Sequence, residues 1–154
     1  KNIMSLIYAI TLIAHIVLGI IGAIASYAVV LFILKKELNI SKLKCASSTA
    51  FLGYVLSWFA GGYYYVQYYG DNVKPGIKEG AYPWAHLVVM EAKEHVFLIL
   101  PFATLAVAIA IFAGSQRLQE DRSYRSAVTA LAVTVMVLAV LITLSGILIT
   151  GGAR

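Results

Sequence analysis

Three histidines and two glutamates are the side chains in this sequence best suited to bind a metal or a cofactor. His15 interrupts an apolar run near the N terminus, and His86 precedes the stretch MEAKEH, which holds Glu91, Glu94 and His95. Glu91 and His95 are four residues apart, so on a helix their side chains share one face and can converge on one ligand. Imidazole nitrogens and carboxylate oxygens bind Zn, Cu and Fe, and imidazole is also an axial ligand of haem.

The composition places these residues in a membrane protein. The chain has 154 residues, of which 61% are hydrophobic and 12% charged, and its mean hydropathy is +0.86. A soluble domain carries about 25% charged residues. A membrane-spanning helix needs about 20 residues, and four apolar stretches meet that length, at residues 3–34, 45–69, 83–114 and 126–150. The sequence therefore predicts an all-α integral membrane four-helix bundle with antiparallel up-down topology, formed as one transmembrane domain by residues 1–154.

Charge, cysteine content and motifs narrow the functional classes. The net charge is +5 and the pI is about 9.4. Basic residues that flank membrane spans and meet anionic headgroups explain this charge, so we expect the lipid bilayer and not nucleic acid as the partner. Cys45 is the single cysteine, which excludes an internal disulfide and any CxxC motif. No Walker A loop, GxGxxG or nucleophile elbow occurs, so we assign no catalytic residue.

Basic residues also predict the orientation. The first and third loops hold seven of them and the opposite side holds five; the two sets are Lys35, Lys36, Lys42, Lys44, Arg117, Arg122 and Arg125, against Lys1, Lys74, Lys78, Lys93 and Arg154. Loops richer in Lys and Arg remain in the cytoplasm. We therefore expect a plasma or inner membrane protein with both termini on the non-cytoplasmic side.

Two of the histidines are predicted to lie at the same depth. His15 lies twenty residues before Lys35, and His95 lies twenty residues before Ser115. At 1.5 Å per residue, twenty residues span roughly 30 Å, the thickness of the hydrocarbon core. Both imidazoles should therefore stand near the outer membrane boundary. An ionisable side chain at this depth is by default a functional candidate.

Small residues follow His15 on its own helix face and recur on the second span. Gly19 and Gly22 lie four and seven residues after His15, and Gly61 and Tyr64 belong to a similar series on the second span. Such faces usually permit close helix packing. They would equally give room for a flat macrocycle beside the histidine, so both explanations stay open.

In bundle size and in the levels of His15 and His95, the chain loosely resembles small four-helix membrane cytochromes of the b type. The resemblance implies one haem b near the outer face, with His15 and His95 as axial ligands and Glu91 or Glu94 bonded to an imidazole nitrogen. Gly19, Gly22, Gly61 and Tyr64 would line the macrocycle. The implied function is electron transfer, with a redox partner at the outer face.

Two other hypotheses use the same residues. In the first, His15, Glu91 and His95 hold a single Zn, Cu or Fe ion, with Glu94 or His86 in reserve. In the second, the chain binds no cofactor and is an accessory or assembly subunit. Its polar side chains would then form hydrogen bonds at an interface with other membrane subunits or with a second copy of the chain.

Overall fold

The protein folds into four long helices joined by short helical segments and turns. The structure, a computed structural model, describes the backbone of residues 2–152 and the side chains of residues 6–151. The long helices are α1 (Asn2–Ile33), α2 (Ile40–Tyr64), α3 (Glu91–Ala113) and α4 (Arg122–Gly152). No strand occurs in this part of the chain, which confirms the all-α prediction. Lys1 and Arg154, which enter the orientation count, lie outside the described residues.

Side-chain caps fix the starts of two helices. Asn39 precedes α2, and its side-chain oxygen accepts a hydrogen bond from the backbone N–H of Lys42 at 2.9 Å. Asp121 precedes α4, and its carboxylate accepts from the N–H groups of Ser123 at 2.8 Å and Tyr124 at 3.0 Å. The first N–H groups of a helix have no partner within the helix, so these caps decide where each helix begins.

Three helical stretches are long and apolar enough to cross a membrane. They are Leu6–Ile33, Ala85–Ala113 and Arg122–Gly151. Helix α2 is not among them, since along its whole length it mixes apolar residues with Ser, Gly and Tyr in addition to Lys42 and Lys44. The structure therefore supports three of the predicted spans, whereas the second span and the up-down topology stay predictions.

The long helices pack in a ring around one apolar core. Helix α1 contacts α2, α2 contacts α3, α3 contacts α4, and α4 closes against α1. The largest fully buried side chains of this core are Tyr54, Ile33, Leu43, Leu100, Ile111 and Leu118. Large apolar side chains such as Ile13, Phe59, Phe102 and Ile147 face outward, as contact with lipid requires.

Glycines allow α1 and α2 to approach closely. A Cβ on Gly53 would lie 3.0 Å from the backbone nitrogen of Gly22, and a Cβ on Gly22 would lie 2.7 Å from the Tyr54 ring. The Tyr54 hydroxyl forms a hydrogen bond of 3.0 Å with the Ser26 hydroxyl inside the bundle. Close packing thus accounts for the small residues along this part of the interface.

One arginine joins the C-terminal end of α1 to the N-terminal end of α4. The Arg125 guanidinium donates to the carbonyl of Ile33 through Nε at 3.0 Å and through Nη2 at 2.7 Å, and Nη2 also donates to the carbonyl of Lys35. Ile33 is the last residue of α1 and Lys35 lies two residues beyond it, so neither carbonyl has a partner within the helix. The fork of the guanidinium satisfies them and places a positive charge at the negative end of the helix dipole.

The end of the bundle opposite the α1–α2 loop, which the sequence predicts to face outward, is largely helical. Residues 70–80 contain the helical segments Gly70–Asn72 and Lys74–Glu79, although their Gly, Pro, Asp and Asn residues are typical of turns. Two π-helical segments, Tyr65–Tyr69 and Ala85–Met90, connect this part to α2 and α3. A second apolar cluster holds it together and consists of Tyr69, Ile77, Ala85, Met90 and Ile149.

Candidate functional site

His15 is held by two groups of Ser57 on the neighbouring helix. Its Nδ1 lies 2.9 Å from the Ser57 carbonyl oxygen and 3.0 Å from the Ser57 hydroxyl, which in turn donates to the His15 carbonyl at 2.8 Å. A carbonyl oxygen only accepts, so Nδ1 carries the hydrogen of the neutral ring. This tautomer leaves Nε2 with a free lone pair, which is the form in which histidine binds metals.

The His15 ring packs between a glycine on α2 and an aromatic side chain on α3. A Cβ on Gly61 would lie 2.5 Å from Nδ1 of His15, so only glycine leaves room for the imidazole. The Phe97 ring meets the imidazole edge to face, with centroids 5.7 Å apart and an interplanar angle of 89°. His15 therefore points into the bundle toward α3.

The His95 side chain does not point toward His15. Its side chain is exposed, and Nδ1 bonds to the carbonyl of Glu91 on its own helix at 2.6 Å. His95 and Phe97 are two residues apart on α3, so their side chains leave the helix about 200° apart. Because Phe97 faces His15, His95 faces away from it. In this arrangement the residues do not fit a haem held between the two imidazoles.

The other residues predicted to line a haem have partners within the chain. A Cβ on Gly19 would stand 3.3 Å from the Ser57 hydroxyl, and Gly22 faces the Tyr54 ring. Tyr64 packs against Tyr68, with ring centroids 5.5 Å apart. At these positions the space between α1 and α2 is filled by the protein's own side chains.

His86, which the sequence analysis held in reserve, is the most buried of the three histidines. Only 1% of it is exposed. Its Nδ1 lies 3.1 Å from the Tyr69 hydroxyl, and its Nε2 faces Oε1 of Glu91 at 3.7 Å. The Glu91 side chain is 47% exposed, so Glu91 lies between the buried His86 imidazole and the surface. The π-helical segment that carries His86 shifts its direction relative to α3, and a regular helical projection of the sequence cannot show this.

Glu94 adds an unsatisfied acceptor next to this group. Its Oε1 is buried and has no hydrogen-bond partner among the described residues. The carboxylate lies near the Tyr65 hydroxyl and within electrostatic range of His86. A buried carboxylate oxygen without a partner costs free energy, and a bound cation or water is the usual remedy. We call His86, Glu91 and Glu94, with the Tyr69 hydroxyl, the outer polar cluster, after the side of the membrane that the sequence predicts for this end of the bundle.

The outer polar cluster is not a preformed metal centre. Within residues 6–151, no group of three or more His, Cys, Asp or Glu side chains is arranged to hold a metal ion. Glu91 is half exposed and can turn about its side-chain bonds, whereas His86 is fixed by burial and by Tyr69. Ligand binding by this cluster therefore requires the carboxylates to move toward Nε2 of His86.

Comparison with known proteins gives no family assignment. The chain matches no protein-family model, no curated protein and no solved structure at a significant level of similarity. The fold and composition define its class: an all-helical protein with three helices able to cross a membrane. Its function must be inferred from its own residues.

Proposed function

We propose that the protein is an integral membrane protein that binds one transition-metal ion at the outer end of its bundle, through His86, Glu91 and Glu94. The observation that carries the proposal is the buried His86 imidazole, whose Nε2 faces the Glu91 carboxylate at 3.7 Å, with the buried Oε1 of Glu94 within electrostatic range. One imidazole and two carboxylates suit Zn or Fe, with a further position open to water or substrate.

Tyr69 would act as the positioning residue for this site. The 3.1 Å contact between Nδ1 of His86 and the Tyr69 hydroxyl permits either atom to donate. A metal bound to Nε2 would select the tautomer in which Nδ1–H donates to the Tyr69 oxygen. Metal-binding histidines typically have such a partner on their second nitrogen. The 3.7 Å between Nε2 and Glu91 leaves the two groups close enough to share a ligand once the carboxylate turns.

The proposal includes four spans, with both termini on the non-cytoplasmic side. Helix α2 has 25 residues, which reach about 37 Å, and it contacts both α1 and α3. A helix packed along two membrane-spanning neighbours can carry more hydroxyl and glycine residues than one surrounded by lipid. This arrangement puts the outer polar cluster on the same side as the termini.

Elemental analysis of purified protein tests the metal site. We expect about one Zn or Fe per chain after expression with both metals present. His86→Gln and Glu94→Gln should each remove most of the metal because each deletes a ligand. His95→Gln is the matched control: it removes an exposed imidazole on the same helix and should leave the metal content unchanged. Metal-free protein, or equal loss from all three variants, would exclude the proposed ligand set.

A second candidate is a haem with His15 as its single axial protein ligand. It is favoured by the Ser57 carbonyl, which holds Nδ1–H and leaves Nε2 as the donor. A Soret band that is present in the wild type and lost in His15→Ala would support it. If the protein is colourless and free of metal, the cofactor-free accessory role is the remaining candidate.

A further inference from the structure

Two lysines on the helical segment Lys74–Glu79 stand beside the outer polar cluster. Lys74 and Lys78 are four residues apart, so their side chains leave the segment on the same side. In the part of the chain whose side chains the structure describes, neither ammonium forms an ion pair with a carboxylate. The acidic residues nearest in sequence, Asp71 and Glu79, are both exposed.

The side of the segment that carries the two lysines faces His86. Ile77 is only 1% exposed and belongs to the second apolar cluster, through which the segment packs against the π-helical turn that holds His86. At 100° per residue, Lys74, Ile77 and Lys78 lie within an arc of about 100° on the helix surface. The lysines therefore flank the buried isoleucine, and both ammonium groups lie within electrostatic range of the His86 imidazole.

The charges around the cluster leave a positive balance once a metal is bound. The two carboxylates of Glu91 and Glu94 offset the charge of one divalent ion, so the two lysine charges remain uncompensated there. Like charges four residues apart on a helix repel each other, and an anion close to both relieves the repulsion. The Glu91 side chain is 47% exposed, which gives a dissolved ion access to the cluster.

We infer that the metal-loaded outer polar cluster binds a small anion, such as a carboxylate, at the open position of the metal, and that Lys74 and Lys78 attract this anion. The inference rests on the proposed metal site and names the chemical class of its ligand. One atom of the anion gives a lone pair to the metal, and its other atoms accept hydrogen bonds from the ammonium groups. An uncharged ligand would gain much less from the two lysines.

Purified protein loaded with cobalt(II) in place of zinc tests the inference, with thiocyanate as the probe anion. Cobalt(II) accepts the same nitrogen and oxygen ligands as zinc, and its visible absorption changes when an anion enters the open position. We expect thiocyanate to change the spectrum of the wild type. Lys74→Gln/Lys78→Gln should bind thiocyanate about tenfold more weakly, as expected for the loss of two partly screened charges near the anion. Its cobalt content should not fall, because neither lysine is a metal ligand.

Two further double variants separate the position of the charges from their number. Lys74→Arg/Lys78→Arg keeps both charges and should retain most of the affinity. Lys36→Gln/Lys42→Gln is the matched control, because it removes two exposed lysines from the opposite end of the molecule and should leave thiocyanate binding unchanged.

The outcomes distinguish this inference from the proposed metal site. Cobalt-loaded wild type that does not respond to thiocyanate, or that binds it no more tightly than Lys74→Gln/Lys78→Gln does, would overturn the inference and leave the metal site in place. Equal weakening in the two glutamine variants would overturn it too, because only the net charge would then matter. A wild type that takes up no cobalt would overturn the metal site and the anion site together.

Discussion

At the level of single residues, the position of the His15 imidazole depends on the absence of a side chain at Gly61. A Cβ there would lie 2.5 Å from Nδ1 and 2.8 Å from Cε1 of the imidazole. The ring is hydrogen-bonded to Ser57 on the same face of α2 and meets Phe97 of α3 edge to face, so a shift away from residue 61 would disturb both contacts. The sequence showed glycines near His15, but it could not show whether they make room for the imidazole itself or for a cofactor.

Gly61→Ala should therefore destabilise the protein by about 1–3 kcal/mol, the usual cost of an overpacked interior. Gly62→Ala is the matched control, because nothing lies within 4 Å of a Cβ at that position. We expect it to be neutral or to stabilise by up to about 1 kcal/mol, as alanine does in helices. Thermal unfolding in detergent measures both.

The double variant His15→Ala/Gly61→Ala separates this contact from other effects. Removing the imidazole gives the new methyl group room, so the destabilisation by Gly61→Ala should largely disappear in the His15→Ala background. A penalty of equal size in both backgrounds would show that Gly61 is needed for some other reason.

At the level of the helices, the sequence predicted the long apolar segments better than the end of the bundle that holds the π-helical segments. Long apolar runs predicted helices, and three of them are long and apolar enough to span a membrane. At the outer end, the π-helical segments Tyr65–Tyr69 and Ala85–Met90 change the direction of the side chains they carry. A regular 100° projection through them cannot show where His86 lies relative to Glu91, and counting depth from helix ends could not show that His95 faces away from His15.

Arg125 should contribute measurably to the joint between α1 and α4. Arg125→Ala removes a charged donor from the carbonyls of Ile33 and Lys35, and we expect a loss of about 2 kcal/mol. Arg125→Lys should recover part of it, because lysine keeps the charge but lacks the planar fork. Arg122→Ala, an exposed change one turn earlier, should stay within about 0.5 kcal/mol of the wild type. Equal losses at both arginines would contradict the assigned role of the guanidinium.

The cap of α4 should make stability depend on pH. Hydrogen bonds from the backbone N–H groups of Tyr124 and Ser123, together with the nearby Arg117, lower the pKa of Asp121 below its usual range. A lowered pKa in the folded state means that the stabilisation is complete above the unfolded pKa and is lost as the pH falls below about 4. Asp121→Asn keeps an oxygen acceptor but does not titrate, so the melting temperature of the wild type should fall more steeply than that of the variant between pH 5 and 3. Parallel curves would exclude this contribution of the cap.

For the molecule as a whole, the direction in which α2 runs determines on which side the outer polar cluster lies. If α2 crosses the membrane, residues on either side of it face opposite compartments. Lys36 and Asn72 are both exposed and stand before and after α2. Cys45 is the single cysteine, so Cys45→Ser gives a background for introducing one thiol at a time.

In that background, Asn72→Cys should react with a membrane-impermeant maleimide on intact cells, and Lys36→Cys should react only after permeabilisation. This result requires α2 to be a span and places the termini with Asn72 on the outside. Reaction of both thiols on intact cells would contradict a crossing by α2. Protection of Asn72→Cys together with labelling of Lys36→Cys would reverse the proposed orientation.

The ligand set of the metal is the feature on which the proposed function depends. X-ray absorption spectroscopy of the protein loaded with Zn or Fe reports the ligands without any substitution. We predict one imidazole and otherwise oxygen ligands, at about 2.0–2.2 Å for zinc. Two imidazoles around the metal would contradict the assignment, because His86 is the single histidine of the outer polar cluster, and a protein that takes up no metal would contradict it outright.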